Sequence, residues 1–220
     1  MANIIYTAIF GRYEELKDPL VVTPGWRYIC FTDQPFTSKV WEIIQHPICE
    51  TPQLTARAIK ILPHKYLPAY TKKSIWIDGS FTINCNLNEW WERRFTSPFS
   101  CIKHPIRNCV YEEAAACVKH NRGNAAQINN QIRKYRQLGV PARNGIISSG
   151  ILMREHSKIV FDFCEKWHQE LINNSTRDQL AFAFVAWKNR IHHETKWDYR
   201  NQTEFIFLTH FNRRKNAKSY

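Results

Sequence analysis

The stretch "SIWIDGSF", Ser74–Phe81, carries a β-favouring run straight into an aspartate and a glycine. A lone carboxylate at the end of a buried strand is costly to desolvate unless a cation sits opposite it. Asp78 therefore either begins a turn, as Asp-Gly pairs commonly do, or holds a positive charge. A second aspartate, Asp33, closes the β-like run "WRYICFTD", and a small-residue gap, Ser148-Ser149-Gly150, interrupts the apolar run "GIISSGILMRE". Between them, "PQLTARAIKILPHKYL" has helix-forming content and sets Arg57 and Lys60 one turn apart on a shared face. Two carboxylates, a gap of small side chains and two cations are the parts of a pocket for a phosphate-bearing ligand held through a divalent cation. Carboxylate oxygens suit Mg2+ or Mn2+, and a guanidinium grips phosphate oxygens with a bidentate fork. Arg57 also has a plainer reading as a solvated helix position.

These residues need a scaffold that brings them to one edge. "NIIYTAIF", closed by Gly11, "WRYICFTD" and "VWEIIQHP" read as three strands in the first fifty residues. A helix over Pro52–Leu67, bent or ended by Pro63, precedes the strand "KSIWIDG". Next come a short helix in "NLNEWWERR" capped by Asn86 or Asn88, and a helix beginning near Tyr111 to Glu113, where Glu112 and Glu113 suit the dipole. "NAAQINNQIRKYRQLG" reads as a helix stopped by Gly139, Ser157–Ile172 as a long amphipathic one, and "TRDQLAFAFVAWKN" as a helix capped by Thr176 with Gln179 in its first turn. Alternating strands and helices predict an α/β fold: a single β/α/β sandwich with a mostly parallel central sheet and helices on both faces. Ligands of such sheets gather at the carboxyl ends of the strands, where Asp33 and Asp78 stand.

At 220 residues and 44% hydrophobic content, the chain is long enough for one substantial core, read here as one domain over residues 1–210 with a basic tail, 211–220. No apolar run approaches the roughly 18 to 20 residues that cross a bilayer, and the N-terminus has neither a basic leader nor a small-residue cleavage site. The expectation is a cytoplasmic protein with no transmembrane segment. Seven cysteines, odd in number and without a CxxC pair, argue against a disulfide framework and a zinc cluster. The formal charge of +12 points to an anionic partner, with much of the excess in the tail and in "VKHNRGNAAQINNQIRKYRQLG". Neither a helix-turn-helix pattern nor glycine-flanked aromatics on strands is present, so no specific nucleic acid is expected.

The strings "YTAIFGRYEELKDP", "CFTD", "ARAIKILPHKYLPAY", "SIWIDGSF", "HPIRNCVYEEA", "SSGILMREH" and "TRDQLAFAFV" occur in an order and wording that resemble a glycosyltransferase-like domain. That domain is shared by plant mucilage hexosyltransferase-type proteins and a plant protein described as an alkaline ceramidase, and the resemblance runs from Ile5 to about Val185. It implies a GT-A-type sandwich, a nucleotide-sugar donor with UDP as the expected nucleotide, a glycan or glycoconjugate acceptor, and a divalent cation, Mn2+ or Mg2+. By that resemblance Tyr6, Thr7, Ala8 and Asp33 would cradle base and ribose, and Arg57, Lys60 and the Ser148-Ser149-Gly150 gap would face the donor. Asp78 would begin the metal-binding DxD motif. Its third position here is Ser80, so His192, His193 or His210 would complete the shell, with His210 following the β-like "FIFLT". "RDQ" resembles the acidic site beside the acceptor. Asp178 would act there as base or as a stabiliser of oxocarbenium charge, with Arg177 and Gln179 positioning it or the donor sugar. Taken alone, Asp178 better suits the dipole of the helix it opens.

Three classes of function follow: a metal-assisted glycosyltransferase, a non-catalytic polyanion- or glycan-binding module resting on the +12 charge, and a lipid amidohydrolase resting on the ceramidase label. The last would need a zinc cluster or an activated nucleophile, and no HExxH or GxSxG motif is present.

Overall fold

The structure, a computed structural model, describes residues 2–190 and 203–207. His192, His193, His210 and the tail 211–220 lie outside the described residues. The main sheet is built from β1 (Ala2–Ile9), β2 (Trp26–Thr32), β3 (Glu42–Gln45), β4 (Thr71–Ile77), β6 (Phe99–Lys103) and β7 (Ile147–Glu155), in the order β3-β2-β1-β4-β7-β6. Pairings β1/β2, β1/β4 and β2/β3 are parallel, and β7 runs antiparallel to both β4 and β6. β5 (Phe81–Ile83) and β8 (Phe205–Phe207) form a separate antiparallel pair.

β1, β2 and the second half of β4 read as near-continuous apolar runs because the centre of the sheet is covered on both faces, as parallel sheets are, whereas β3 is a short edge strand with no buried residue. Strand alternation splits the core in two. Ile4, Tyr6 and Ala8 of β1 join a core roofed by α1 (Pro52–Ile61), α4 (Val110–Lys119), α5 (Ala125–Gln137), α6 (Lys158–Ile172) and α7 (Asp178–Asn189). Ile5, Ile75 and Ile77 face a second core with Trp90 and Trp91 of α3 (Leu87–Arg94), together with Phe81, Ile83 and Phe205 of the small sheet. Helices thus lie on both faces, with the small sheet completing the second layer.

Helix boundaries follow local chemistry. Thr51 caps α1 through Oγ1, which accepts from the Leu54 amide at 3.1 Å, and Pro63 opens a separate one-turn α2 (Pro63–Tyr66). Asn86 caps α3 by accepting from the amides of Asn88 and Glu89. Gly139, at φ +77°, ends α5 with Val140 N–H bonded to the Tyr135 carbonyl. One expected cap is corrected: α7 starts at Asp178 with Arg177 as its N-cap residue, so Thr176 is not the cap. The reason is the preceding serine. The Ser175 hydroxyl donates to Gln131 Oε1 and accepts from the Arg177 amide at 3.4 Å, which fixes the chain one residue later.

The Ser148-Ser149-Gly150 gap does not interrupt a strand. It is a bulge inside continuous β7: Cys101 pairs with Leu152 but Ile102 pairs with Ser148, so Ser149, Gly150 and Ile151 have no counterpart on β6. On the other side Ile151 still pairs with Ile77, and the Asp78 amide donates to the Gly150 carbonyl at 2.8 Å. A Cβ on Gly150 would sit 2.7 Å from a ring carbon of Phe81, so the close approach requires glycine. Gly150→Ala is expected to lower stability by about 1–3 kcal/mol, the usual cost of overpacking, as a reduced urea midpoint with an unchanged m-value.

Candidate active site

The site forms where α1 turns cations inward. Arg57 and Lys60 lie on the buried side of the helix with Ile59 and Ile61, which settles the choice between a solvated and an inward face. Lys60 Nζ stands 3.2 Å from Asp78 Oδ1, 2.8 Å from Asp178 Oδ2 and 3.1 Å from Ser149 Oγ. Ser149 closes the ring by donating to Asp178 Oδ2 at 2.8 Å. Four elements therefore meet on one ammonium: α1, the end of β4, the β7 bulge and the start of α7. The lysine backbone is fixed as well. Tyr6 donates its hydroxyl to the Lys60 carbonyl at 3.1 Å, and Arg154 Nη1 donates to the Tyr6 oxygen at 2.7 Å.

Asp78 fulfils both of its sequence readings. It opens a turn in which the Phe81 amide bonds the Asp78 carbonyl at 3.0 Å, and its Oδ1 accepts from Trp76 Nε1 at 2.7 Å as well as from Lys60. Asp178 likewise opens α7, where its Oδ1 accepts from the Gln179 amide, while its side chain is drawn into the cation cluster. Burial alone would raise the Asp178 pKa. The cations of Lys60, Arg57 and Arg177 outweigh burial and hold the carboxyl well below the usual carboxylate range. Trp167 Nε1 bonds the Asp178 carbonyl at 2.8 Å and fixes the first turn of the helix.

Arg57 is 9% exposed, and burial, partly offset by Asp178, lowers its pKa from the ordinary guanidinium value. Among the described residues its Nη1 is buried without an acceptor, as is Nε of Arg177. Such orphaned donors are costly, and a ligand carrying anionic oxygens would satisfy them. Arg177 Nη2 reaches Gln179 Oε1 at 3.2 Å and lies 3.9 Å from Glu113, while Gln179 Nε2 donates to the Ile147 carbonyl at 2.6 Å. The triplet "RDQ" thus sits beside the charged cluster as one hydrogen-bonded unit.

The remaining predicted residues sit further out. Asp33 is half-buried at the end of β2, and both of its oxygens accept from the Gly11 amide at 3.1 and 3.3 Å, joining β1 and β2 at the carboxyl edge. Tyr6 is fully buried and reaches the site only through Lys60, which corrects its expected direct contact with base and ribose. Thr7 and Ala8 are buried in β1, and the Thr7 hydroxyl has no hydrogen-bond partner among the described residues. Ser148 pairs with Ile102, one residue before the bulge.

For the expected cation, the described residues offer a minimal donor set. Asp78 Oδ1 is taken by Lys60 and Trp76, whereas Oδ2 accepts no hydrogen bond among the described residues; buried Ser80 follows two residues later. No group of three or more His, Cys, Asp or Glu gathers among the described residues. One free carboxylate oxygen fits Mg2+ or Mn2+ in the mode where waters and substrate phosphates supply most of the shell.

Sequence reasoning missed the support behind the site. Trp76, two residues before Asp78, carries no polar pattern that announces its indole N–H as a clamp. Glu113 suited a helix dipole but is buried, with Arg107 Nε at 2.5 Å and His104 Nε2 at 3.4 Å. Its i+4 partner Cys117, whose thiol donates to Glu113 Oε1, shows that this acid faces inward on an otherwise Ala-rich helix.

A mostly parallel α/β sandwich with a charged cluster at the carboxyl ends of its central strands is a ligand-binding architecture. The sequence profile described as TOD1/MUCI70, glycosyltransferase-like domain, matches residues 26–210, and the chain belongs to that family. It is 27% identical over 149 residues to the probable hexosyltransferase MUCI70 of Arabidopsis thaliana, an alignment covering 63% of this chain and 25% of that protein. The chain thus spans about a quarter of this relative. The crystal structure of mouse xyloside xylosyltransferase 1, apo form, superposes with a TM-score of 0.49 at 9% identity, covering 88% of this chain and 84% of that one.

Removing the central cation tests the cluster. Lys60→Met leaves two carboxylates facing each other and is expected to cost about 3–5 kcal/mol, with Asp178→Asn in the same chain recovering part of the loss in a double-mutant cycle. Because the folded-state pKa of Asp178 is depressed, its contribution is present above its unfolded pKa of about 3.9 and is lost as pH falls below that value. Urea midpoints measured between pH 6 and 3 should therefore fall more steeply for the wild type than for Asp178→Asn.

Proposed function

We propose that the chain is a glycosyltransferase that moves a sugar from a nucleotide-sugar donor, a UDP-sugar, to a hydroxyl of a glycan or glycoconjugate. The observation that carries this reading is the buried Arg57 with an unsatisfied Nη1, beside a lysine held between two carboxylates at the carboxyl edge of the sheet. Family membership and the similarity to a probable hexosyltransferase support it.

The nucleotide would lie across the ends of β1 and β2, near Asp33, with its diphosphate facing Arg57 and Lys60. A divalent cation held by Asp78 Oδ2, with Ser80 beside it, would neutralise charge on the departing diphosphate. In the transfer, the bond from the anomeric carbon to the phosphate oxygen breaks with its electron pair on the phosphate, and the acceptor oxygen bonds to that carbon. The depressed proton affinity of Asp178 makes it a poor base, which favours the second of its two expected roles: a fixed negative charge beside the developing oxocarbenium. The acceptor proton leaves with the diphosphate. Arg177 and Gln179 hold the first turn of α7 in place. The lipid amidohydrolase reading gains little from this geometry: Lys60 engages both aspartates, and the Ser149 hydroxyl donates to Asp178, whose depressed proton affinity makes it a poor base for activating a nucleophile.

Thermal denaturation with nucleoside diphosphates, with and without Mn2+, tests the donor site, since a ligand that binds only the folded state raises the melting temperature. UDP with Mn2+ should stabilise the wild type, and Asp78→Asn should lose the Mn2+-dependent part. Asp178→Asn should keep the nucleotide shift yet lose about a hundredfold or more in transfer rate, as expected for removing a group that acts on developing charge. Transfer at the wild-type rate in Asp178→Asn would sink its assigned role, and an absence of any nucleotide effect would sink the donor reading.

A further inference from the structure

From the last residue of β6 to the residue before β7, residues 103–146 hold eight lysines and arginines against two acidic residues, a surplus of six that is half of the chain's formal +12. Of the two acids, Glu113 is buried and engaged by Arg107 and His104, leaving Glu112 as the exposed one. Lys119 and Arg122 lie exposed at the turn between α4 and α5, and neither makes an ion pair among the described residues. Other exposed lysines, such as Lys65 with Glu165 and Lys158 with Asp162, have a carboxylate partner.

This unneutralised turn is placed at the site. Gly123, which follows Arg122, approaches Arg177 so closely that a Cβ there would lie 3.6 Å from Arg177 Cδ. Arg177 is in turn bonded to Gln179, next to Asp178. The order of the sheet then separates two sides. β1 and β2, with Asp33, lie on one side of β4, while β7 and β6, which flank the basic segment, lie on the other. With the nucleotide over β1 and β2, the molecule that reaches Asp178 past the basic turn is the acceptor.

We infer that the acceptor is an anionic glycan, carrying carboxylate or sulfate groups that Lys119, Arg122 and their basic surroundings attract. This rests on the glycosyl-transfer reading for the term acceptor, but the binding itself is measurable without turnover. The probes are a hexuronate oligosaccharide, a sulfated oligosaccharide of similar length and the carboxyl-reduced, neutral form of the first, titrated calorimetrically against the full chain at low and moderate salt. At least one anionic probe should bind about tenfold or more tighter than the neutral one and weaken steeply with salt, and which of the two does so identifies the anionic group. The double variant Lys119→Ser/Arg122→Ser should lose about fivefold or more of that affinity, whereas Lys158→Ser, on α6, should lose none. The UDP-induced thermal shift should persist in the double variant, which separates failure here from failure of the donor site. Equal binding of the neutral probe, or an unchanged affinity in the double variant, would overturn the inference. So would single-stranded DNA of matched charge binding as tightly as the best glycan and losing as much in the double variant, because the surface would then be an unselective polyanion site.

Discussion

The Lys60 ammonium is the interaction on which the site depends. It is buried, touches two carboxylates and a hydroxyl, and draws them from α1, β4, β7 and α7. Desolvating the Lys60 and Asp178 charges is tolerable only if their geometry is held, because a buried charge that loses its partner is costly. The surrounding structure supplies that hold. Trp76 and the turn at Asp78 fix one carboxylate, Trp167 and the Gln179 amide fix the other, and Tyr6 fixes the lysine backbone. Burial, partly offset by Arg154, raises the Tyr6 pKa to about 12, so this phenol remains a hydrogen-bond donor at any working pH.

Much of the scaffold was legible in the sequence because strong patterns stand alone there. The apolar runs of β1, β2 and β4, the helix start at Pro52 and Gly139 after α5 each have a single local solution, and of the two caps offered for α3 the structure uses Asn86. The α7 cap was misplaced by one residue because the Ser175 hydroxyl, anchored on Gln131 far away in sequence, takes the Arg177 amide. The β7 bulge had a signature, two serines and a glycine in an apolar run, but that signature equally fits a broken strand. Only its pairing with β4 on one side and β6 on the other decides between them.

For the site, residue identities were more readable than their roles. Asp78, Asp178, Arg57, Lys60 and Ser149 come together as the strand-edge argument requires, since a parallel sheet delivers its loops to one edge. Asp33 reaches that edge two strands away, and Tyr6 acts from below. What the sequence could not express is the ion pair itself. A helix face bearing Arg57 and Lys60 reads as solvated until the opposing carboxylates are placed, and helical periodicity carries no information about what lies across from it.

The bulge in β7 gives the sheet a defect it cannot mend without dismantling the cluster. A regular ladder with β6 would draw three residues out of the strand, and Ser149 would move away from Lys60 and Asp178. Length changes in this strand are consequently not neutral even where they would improve strand pairing. Here a shorter chain would make a better sheet and a worse site.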